Sequence, residues 1–204
     1  MTLVVNLEDH KKYVINQYYI DASERELGIL MYLKELGHHE NIIGIHSQFV
    51  QNDQTYIVFE YEEGESLDYL IQRHKNGKKF FEKDFIDNFI IQMTNTLKYL
   101  HSNDVILMDL EPRHIFVTKK GSFQIFDFMM ASLLSEKAEK KFLPDENVSV
   151  LVTEYLAPEF FISKDYLTPS LDIWAFGVIL LELLILEPMV NKQKKWVNLI
   201  SKRN

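Results

Sequence analysis

The chain has 204 residues, of which 47% are hydrophobic and 25% charged, a composition that excludes a disordered protein. The formal net charge of −8 argues against nucleic acid or an anionic membrane as the partner. The absence of cysteine excludes disulfides, thiolate metal sites and thiol nucleophiles, and it indicates a reducing intracellular compartment, which we expect to be cytoplasmic or cytoskeletal.

The first part of the chain, residues 1–62, is predicted to be a small sheet with one helix. Its strand segments are rich in Val, Ile and Tyr and are separated by polar turns, one of them QNDQ. From Ser23 onward, Leu27, Leu30 and Met31 recur at helical spacing before Gly37. The predicted elements are strand Leu3–Asn6, strand Tyr13–Ile20, a helix from Ser23, strand Ile42–Val50 and strand Gln54–Glu62.

The remainder, residues 63–204, is predicted to be mainly helical. A short helix opens at Ser66, and a long amphipathic helix spans Phe85–His101. Two short strands, IFVT and FQIFDF, flank the turn KKGS. The apolar segment Asp172–Leu186 contains Glu182 and is shorter than the roughly 20 residues of a membrane span, so we expect a buried helix. The predicted class is therefore α+β.

Four motifs in order resemble those of the protein kinase family. MDLEPRHIFV is similar to the catalytic loop through Asp109, and IFDF is similar to the D-F-G motif through Asp127. TEYLAPE resembles the A-P-E motif at Glu159, and DIWAFG resembles the D-x-W-x-x-G helix at Asp172 and Trp174. The resemblance implies a two-lobe fold with a reduced N-lobe that lacks the Gly-rich hairpin and a helical C-lobe that lacks its last helices.

In the N-lobe, the resemblance implies that Asn16 replaces the strand lysine that binds the first two phosphates of ATP. Glu26 corresponds to the helix glutamate that pairs with this lysine. Without its cation, Glu26 adds negative charge where phosphates would lie.

In the catalytic loop, the resemblance places Asp109 at the position of the catalytic base. Met108 replaces the arginine that reads a phosphorylated activation segment, and Glu111 replaces the lysine that steadies the transferred phosphoryl group. His114 replaces the asparagine that binds the second Mg²⁺ ion. The loop therefore keeps its shape but reverses or loses its charge.

The D-F-G motif, which binds metal in the family, also carries a substitution. Asp127 remains as a weak candidate for a metal ligand, alone or with Glu111 and His114, whereas Met129 replaces the glycine of D-F-G. Each lost charge contact near a transferred phosphoryl group costs on the order of 3 kcal/mol. We therefore expect neither ATP nor Mg²⁺ as a cofactor, and no active catalytic residue.

The apolar framework of the family is better preserved than its chemistry. The resemblance implies a stack of Leu30, Ile45, Leu107 and Phe128, anchored by Asp172.

Trp174 is expected to be a core residue. Glu159 would lack the arginine with which the family's glutamate pairs.

The apolar surface around residues 172–190 would be left uncovered, which predicts that another protein binds there.

The main functional hypothesis is a catalytically inactive kinase-like domain, a pseudokinase, that serves as a protein-binding or structural subunit of a larger assembly. One alternative is a weak or unconventional ATP-dependent serine/threonine protein kinase that uses Asp109 and Asp127. The other is a nucleotide- or metal-binding switch that does not transfer phosphoryl groups.

Overall fold

The computed structural model describes residues 2–134, 155–161 and 167–186 of the chain. Its N-terminal part consists of β1 (Thr2–Val5), β2 (Lys12–Tyr19), α1 (Ile20–Leu36), β3 (Ile45–Gln51) and β4 (Gln54–Glu60). The strand order in the sheet is β1-β2-β4-β3, and each neighbouring pair is antiparallel. The predicted small sheet with one helix is therefore confirmed.

The hairpin between β3 and β4 forms where its polar residues allow a tight turn. Asn52 and Asp53 have φ values of 51° and 55°, and Gln51 pairs with Gln54 across the strands. Two left-handed residues in a two-residue loop match the twist of a hairpin, and Asn and Asp tolerate this conformation well. The turn fixes the register that places Phe59 of β4 fully inside the core.

The C-terminal part is mainly helical in the described residues. Its helices are α2 (Leu67–Asn76), α3 (Lys83–Ser102) and α4 (Ser170–Ile185). Its strands are β5 (Gly64–Ser66), β6 (Val105–Ile106), β7 (Ile115–Thr118), β8 (Phe123–Ile125) and β9 (Ser132–Leu133). Strands β5, β7 and β8 form one sheet, and β6 pairs with β9. The α+β class predicted from the sequence is confirmed.

Helix α3 supplies much of the core of the C-terminal part. Phe89, Met93, Leu97 and Leu100 recur every three or four residues and are buried. The ring of Phe89 stacks on that of Phe176 in α4, with ring centroids 5.8 Å apart. Burying one such side chain contributes roughly 1.5–3 kcal/mol, so this stripe fixes the two helices against each other.

The buried side chain of Asn41 joins the N-terminal part to the C-terminal part. Its Nδ2 donates to the backbone oxygen of Phe123 at 2.8 Å and to Oε1 of Gln92 at 2.6 Å. Its own backbone oxygen accepts from the amide of Ile125 at 2.9 Å. Because these polar groups are satisfied inside the protein, the segment before β3 is held on β8.

Asp172 of α4 fixes the start of the loop that follows β6. Its buried carboxylate accepts hydrogen bonds from the amides of Leu107 at 3.0 Å and Met108 at 2.9 Å. The Nε2 of His101 donates to the same carboxylate at 2.8 Å. Met108 has a φ of 62°, a conformation that is costly for a side chain of its size, and the bond to Asp172 helps to hold it there.

The four apolar side chains that were predicted to stack belong to one cluster of buried residues. Leu30 comes from α1, Ile45 from β3, and Leu107 and Phe128 from the loops after β6 and β8. Their function in connecting the two parts of the molecule stays a prediction.

Some elements of the structure differ from the predicted ones. Helix α1 begins at Ile20, before the predicted start at Ser23. Strands β5, β6 and β9 were not predicted, because segments of two or three residues show no periodicity.

The prediction that Trp174 lies in the core is wrong. Its side chain is 38% exposed, and Ile173 beside it is 52% exposed. Helix α4 packs through one stripe, whose buried apolar positions recur every four residues: Leu171, Ala175, Ile179 and Leu183. A helix that packs through one stripe leaves its other positions accessible even when they are apolar.

No helix in the described ranges is both long and apolar enough to cross a bilayer.

Replacing Asp172 with alanine should lower the free energy of unfolding by roughly 3–5 kcal/mol, because two buried amide groups lose their acceptor. Urea denaturation measures the change. Asp84→Ala is the matched control, since Asp84 is an exposed aspartate that also lies in the first turn of a helix, α3. Equal losses in the two variants would contradict the importance of the Asp172 hydrogen bonds.

Candidate active site

The candidate site is built on the loop between β6 and β7. Within this loop, Pro112–His114 forms one turn of 3-10 helix, and the amide of His114 donates to the backbone oxygen of Glu111 at 3.0 Å. Proline suits the first position of such a turn, because its missing N–H would have no partner there. The turn reverses the chain and brings His114 back beside Asp109.

The ring of His114 lies among three carboxylate groups. Its Nδ1 is 2.9 Å from the backbone oxygen of Asp109 and 3.7 Å from Oδ2 of the same residue. Its Nε2 is 3.2 Å from Oε1 of Glu111 and 3.5 Å from Oδ2 of Asp127. The structure therefore brings together four residues that were singled out from the sequence.

Arg113 also belongs to this cluster, and sequence reasoning missed it. Its Nε donates a short hydrogen bond to Oε1 of Glu111. Burial acts to lower the pKa of Arg113, but the hydrogen bond and charge of Glu111, with the charges of Asp109 and Asp127, raise it. The negative charge introduced at Glu111 is therefore offset by a cation two residues later, a spacing that the sequence displays.

Burial raises the pKa values of the carboxyl groups of both Asp109 and Glu111. For Asp109, the charges of His114 and Arg113 oppose the increase, and the charge of Asp127 adds to it. A carboxylate whose pKa is raised toward neutrality is a better proton acceptor. The same direction of shift at Asp109 and Glu111 follows from the burial of the loop.

Glu26 is buried without the cation that the resemblance would give it. Its Oε1 accepts from the amide of Phe128 at 3.4 Å, and its Oε2 has no hydrogen-bond partner within the described part of the chain. Burial raises the pKa of Glu26, and the nearby Tyr18 hydroxyl opposes this change. Asn16 donates a hydrogen bond to the Tyr18 hydroxyl, so neutral groups lie where the family has its lysine–glutamate ion pair.

Asp127 and the catalytic loop offer oxygen ligands for a metal ion. Oδ1 of Asp127 accepts from the amide of Met129 at 3.0 Å, and Oδ2 points toward His114. Asp109, Glu111 and His114 each have one ligand atom within 4.8 Å of the others. Carboxylate oxygens are donors that Mg²⁺ accepts, so these residues fit a divalent cation.

An open cavity of about 670 Å³ lies at the end of the N-terminal sheet, and both Asn16 and Met129 line it. This volume lies in the range of pockets that bind small molecules in other proteins. Among the described residues, the polar groups that line it are amides and hydroxyls, including those of Gln17, Gln54 and Tyr56, rather than cations. The cavity has room for a nucleotide, and no cation is among its described lining residues.

Two other predicted site residues have mainly structural contacts. The backbone amide of Met108 is bound by Asp172, and its side chain is buried. Glu159 accepts a hydrogen bond from the hydroxyl of Ser170 at 3.5 Å, so in the described ranges its partner is a serine rather than an arginine.

Comparison with known proteins identifies relatives over nearly the whole chain. Residues 5–203 match the protein kinase domain. The chain is 32% identical to the serine/threonine-protein kinase Nek1 of Mus musculus over 193 residues, which are 91% of this chain and 15% of that protein. It is 30% identical to the serine/threonine-protein kinase ssn3 of Aspergillus terreus and to SSN3 of Aspergillus oryzae, over 74% of this chain and 34% and 36% of those proteins.

These relatives overturn two predictions. The expectation that the chain is not an enzyme is wrong, because its relatives are serine/threonine kinases. The expectation that ATP and Mg²⁺ are not used is wrong for the same reason, since kinases transfer the phosphoryl group of ATP with Mg²⁺. Both predictions relied on the substituted positions of the motifs and did not consider the cation at Arg113, beside Glu111. The chain belongs to the protein kinase family.

Proposed function

We propose that the chain is an unconventional ATP-dependent serine/threonine protein kinase whose catalytic-loop cation is Arg113. The observation that carries this proposal is the convergence of Asp109, Glu111 and Asp127 on the ring of His114. The chain spans a sixth to a third of the curated kinases compared above, so the activity of the whole protein is part of the proposal.

In the proposed reaction, Asp109 accepts the proton of a serine or threonine hydroxyl as the oxygen of that hydroxyl attacks the terminal phosphorus of ATP. The new bond is oxygen to phosphorus, and the bond to the bridging oxygen of the diphosphate breaks. The raised pKa of Asp109 favours this proton transfer. Asp127 would hold Mg²⁺, which supplies positive charge for the phosphates.

Arg113 is suited to replace the missing lysine of the loop. The side chain of Arg113 is 61% exposed, and its Nε is bound by Glu111. The remaining N–H groups of a guanidinium suit phosphate oxygens. In this proposal Glu111 positions Arg113 for the transferred phosphoryl group.

The expected enzyme is slow. Asn16 leaves the phosphates without the strand cation, and one lost contact of this kind costs on the order of 3 kcal/mol, or about 100-fold in rate.

A nucleotide- or metal-binding switch without transfer is the second candidate, and it is favoured by the neutral contacts of Asn16 and Tyr18. Binding of ATP without label transfer to a protein substrate would select this candidate.

A protein partner for α4 is a separate proposal. Ile173, Trp174, Leu181 and Leu184 of this helix are all exposed in the described residues. Contiguous exposed apolar side chains are typical of interaction surfaces. The predicted surface extends to residue 190, and its last four residues lie outside the described ranges.

Asp109→Asn should reduce transfer of radiolabelled phosphate from ATP to a generic serine/threonine substrate by roughly 100-fold or more, because the proton acceptor is lost. The assay compares initial rates of the full chain and the variant.

Asp104→Asn is the matched control, since Asp104 is an exposed aspartate with a φ of 58°, which asparagine also tolerates. Absence of transfer by the unaltered chain, with ATP binding intact, would reject the kinase proposal in favour of the switch.

Asn16→Lys should increase the rate of phosphoryl transfer on the order of tenfold or more, because an ammonium group would then face both Glu26 and the phosphates.

Asn16→Lys should also raise the melting temperature at neutral pH. Burial raises the pKa of Glu26, so its favourable contribution in the unaltered chain is complete below the unfolded value of 4.5 and is lost as the pH rises through the folded value.

The stabilisation by Asn16→Lys should therefore grow with pH across the range in which Glu26 ionises. Asn16→Met is the control, because it adds length without charge. A similar effect of both variants at every pH would contradict the electrostatic explanation.

A further inference from the structure

The hydrogen bonds of His114 determine which of its ring nitrogens is free. Nδ1 lies 2.9 Å from the backbone oxygen of Asp109, and a carbonyl oxygen can only accept. Nδ1 must therefore carry a hydrogen. The other ring nitrogen, Nε2, faces Oε1 of Glu111 and Oδ2 of Asp127, at 3.2 Å and 3.5 Å.

Two carboxylates that face one ring nitrogen favour positive charge between them, which a ring proton or a bound cation can supply. Arg113 satisfies part of this requirement, because its Nε bonds to Oε1 of Glu111. Its contact leaves Nε2 of His114 and Oδ2 of Asp127 facing each other. The arrangement thus has a position for a second positive charge beside the histidine ring.

The spacing of the donors suits a metal ion. One ring nitrogen of His114 and one oxygen each from Asp109 and Glu111 lie within 4.8 Å of one another. Around one ion with bonds of about 2.0–2.2 Å, ligand atoms lie roughly 3–4.4 Å apart. Small rotations of these side chains would bring all three donors onto a single ion, and Oδ2 of Asp127 is close enough to join them.

We infer that Asp109, Glu111 and His114 form a nitrogen-containing divalent-cation site that binds Zn²⁺ or Mn²⁺ more tightly than Mg²⁺. An imidazole nitrogen favours transition metals, whereas Mg²⁺ favours oxygen ligands alone. His114 therefore changes which ion the loop selects.

Any contribution of this ion to phosphoryl transfer rests on the proposed kinase function. Binding itself is measured without ATP or a protein substrate, so the failure of this inference is distinguishable from the failure of the proposed function.

The test is calorimetric titration of the full, metal-free chain with Zn²⁺, Mn²⁺ and Mg²⁺ separately. We expect Zn²⁺ and Mn²⁺ to bind with a lower Kd than Mg²⁺. In His114→Asn, which replaces the ring nitrogen with an amide, the affinity for Zn²⁺ should fall on the order of tenfold to 100-fold. The affinity for Mg²⁺ should not fall, because the amide oxygen is a suitable donor.

The control for binding by surface histidines is His38→Asn, because the chain has 7 histidines and His38 is exposed. This variant should bind Zn²⁺ as the unaltered chain does. Circular dichroism melting without metal checks that each variant folds, and Glu111→Gln serves as a second ligand variant if His114→Asn does not fold.

Arg113→Gln should change the affinity for Zn²⁺ in the opposite direction. Removing the guanidinium that pairs with Glu111 should increase the affinity for Zn²⁺, because one cation no longer repels another. Equal affinities of the unaltered chain for Zn²⁺ and Mg²⁺ would overturn the inference. So would unchanged Zn²⁺ affinity in a folded His114→Asn or Glu111→Gln variant.

Discussion

The carboxylate of Asp172 is the contact on which the geometry of the site depends. It lies on α4, yet it binds the amides of Leu107 and Met108, which come directly before Asp109. The buried carboxylate also accepts a hydrogen bond from His101, so each of its two oxygens has a donor. Since the backbone of Met108 is left-handed, this anchor also holds a conformation that the chain would otherwise avoid.

The site differs from the arrangement implied by family resemblance in where its positive charge lies. The strand position is occupied by Asn16, whose side-chain amide donates to the hydroxyl of Tyr18, a neutral partner. Positive charge is found instead at Arg113, next to the acidic substitution at Glu111. In the proposed function, Arg113 supplies part of the positive charge that the loop has lost at Glu111.

Pattern reasoning predicted the long elements and the family, because these depend on repeated local signals. The stripe on α3 from Phe89 to Leu100 has helical spacing, and QNDQ has the residues of a tight turn. The same reasoning failed at Trp174, since hydrophobicity does not reveal which side of α4 faces the core. It also missed Arg113, because only the fold brings the guanidinium onto the Glu111 carboxylate.

The sequence by itself determined the class of fold, the order of the long elements and four residues of the candidate site, Asp109, Glu111, His114 and Asp127. The tertiary structure decided the electrostatics of that site. Burial raises the pKa values of Asp109 and Glu111, and the turn at Pro112–His114 brings the ring of His114 between carboxylates from two different loops. Distances and burial arise from packing across the chain, so no local pattern contains them.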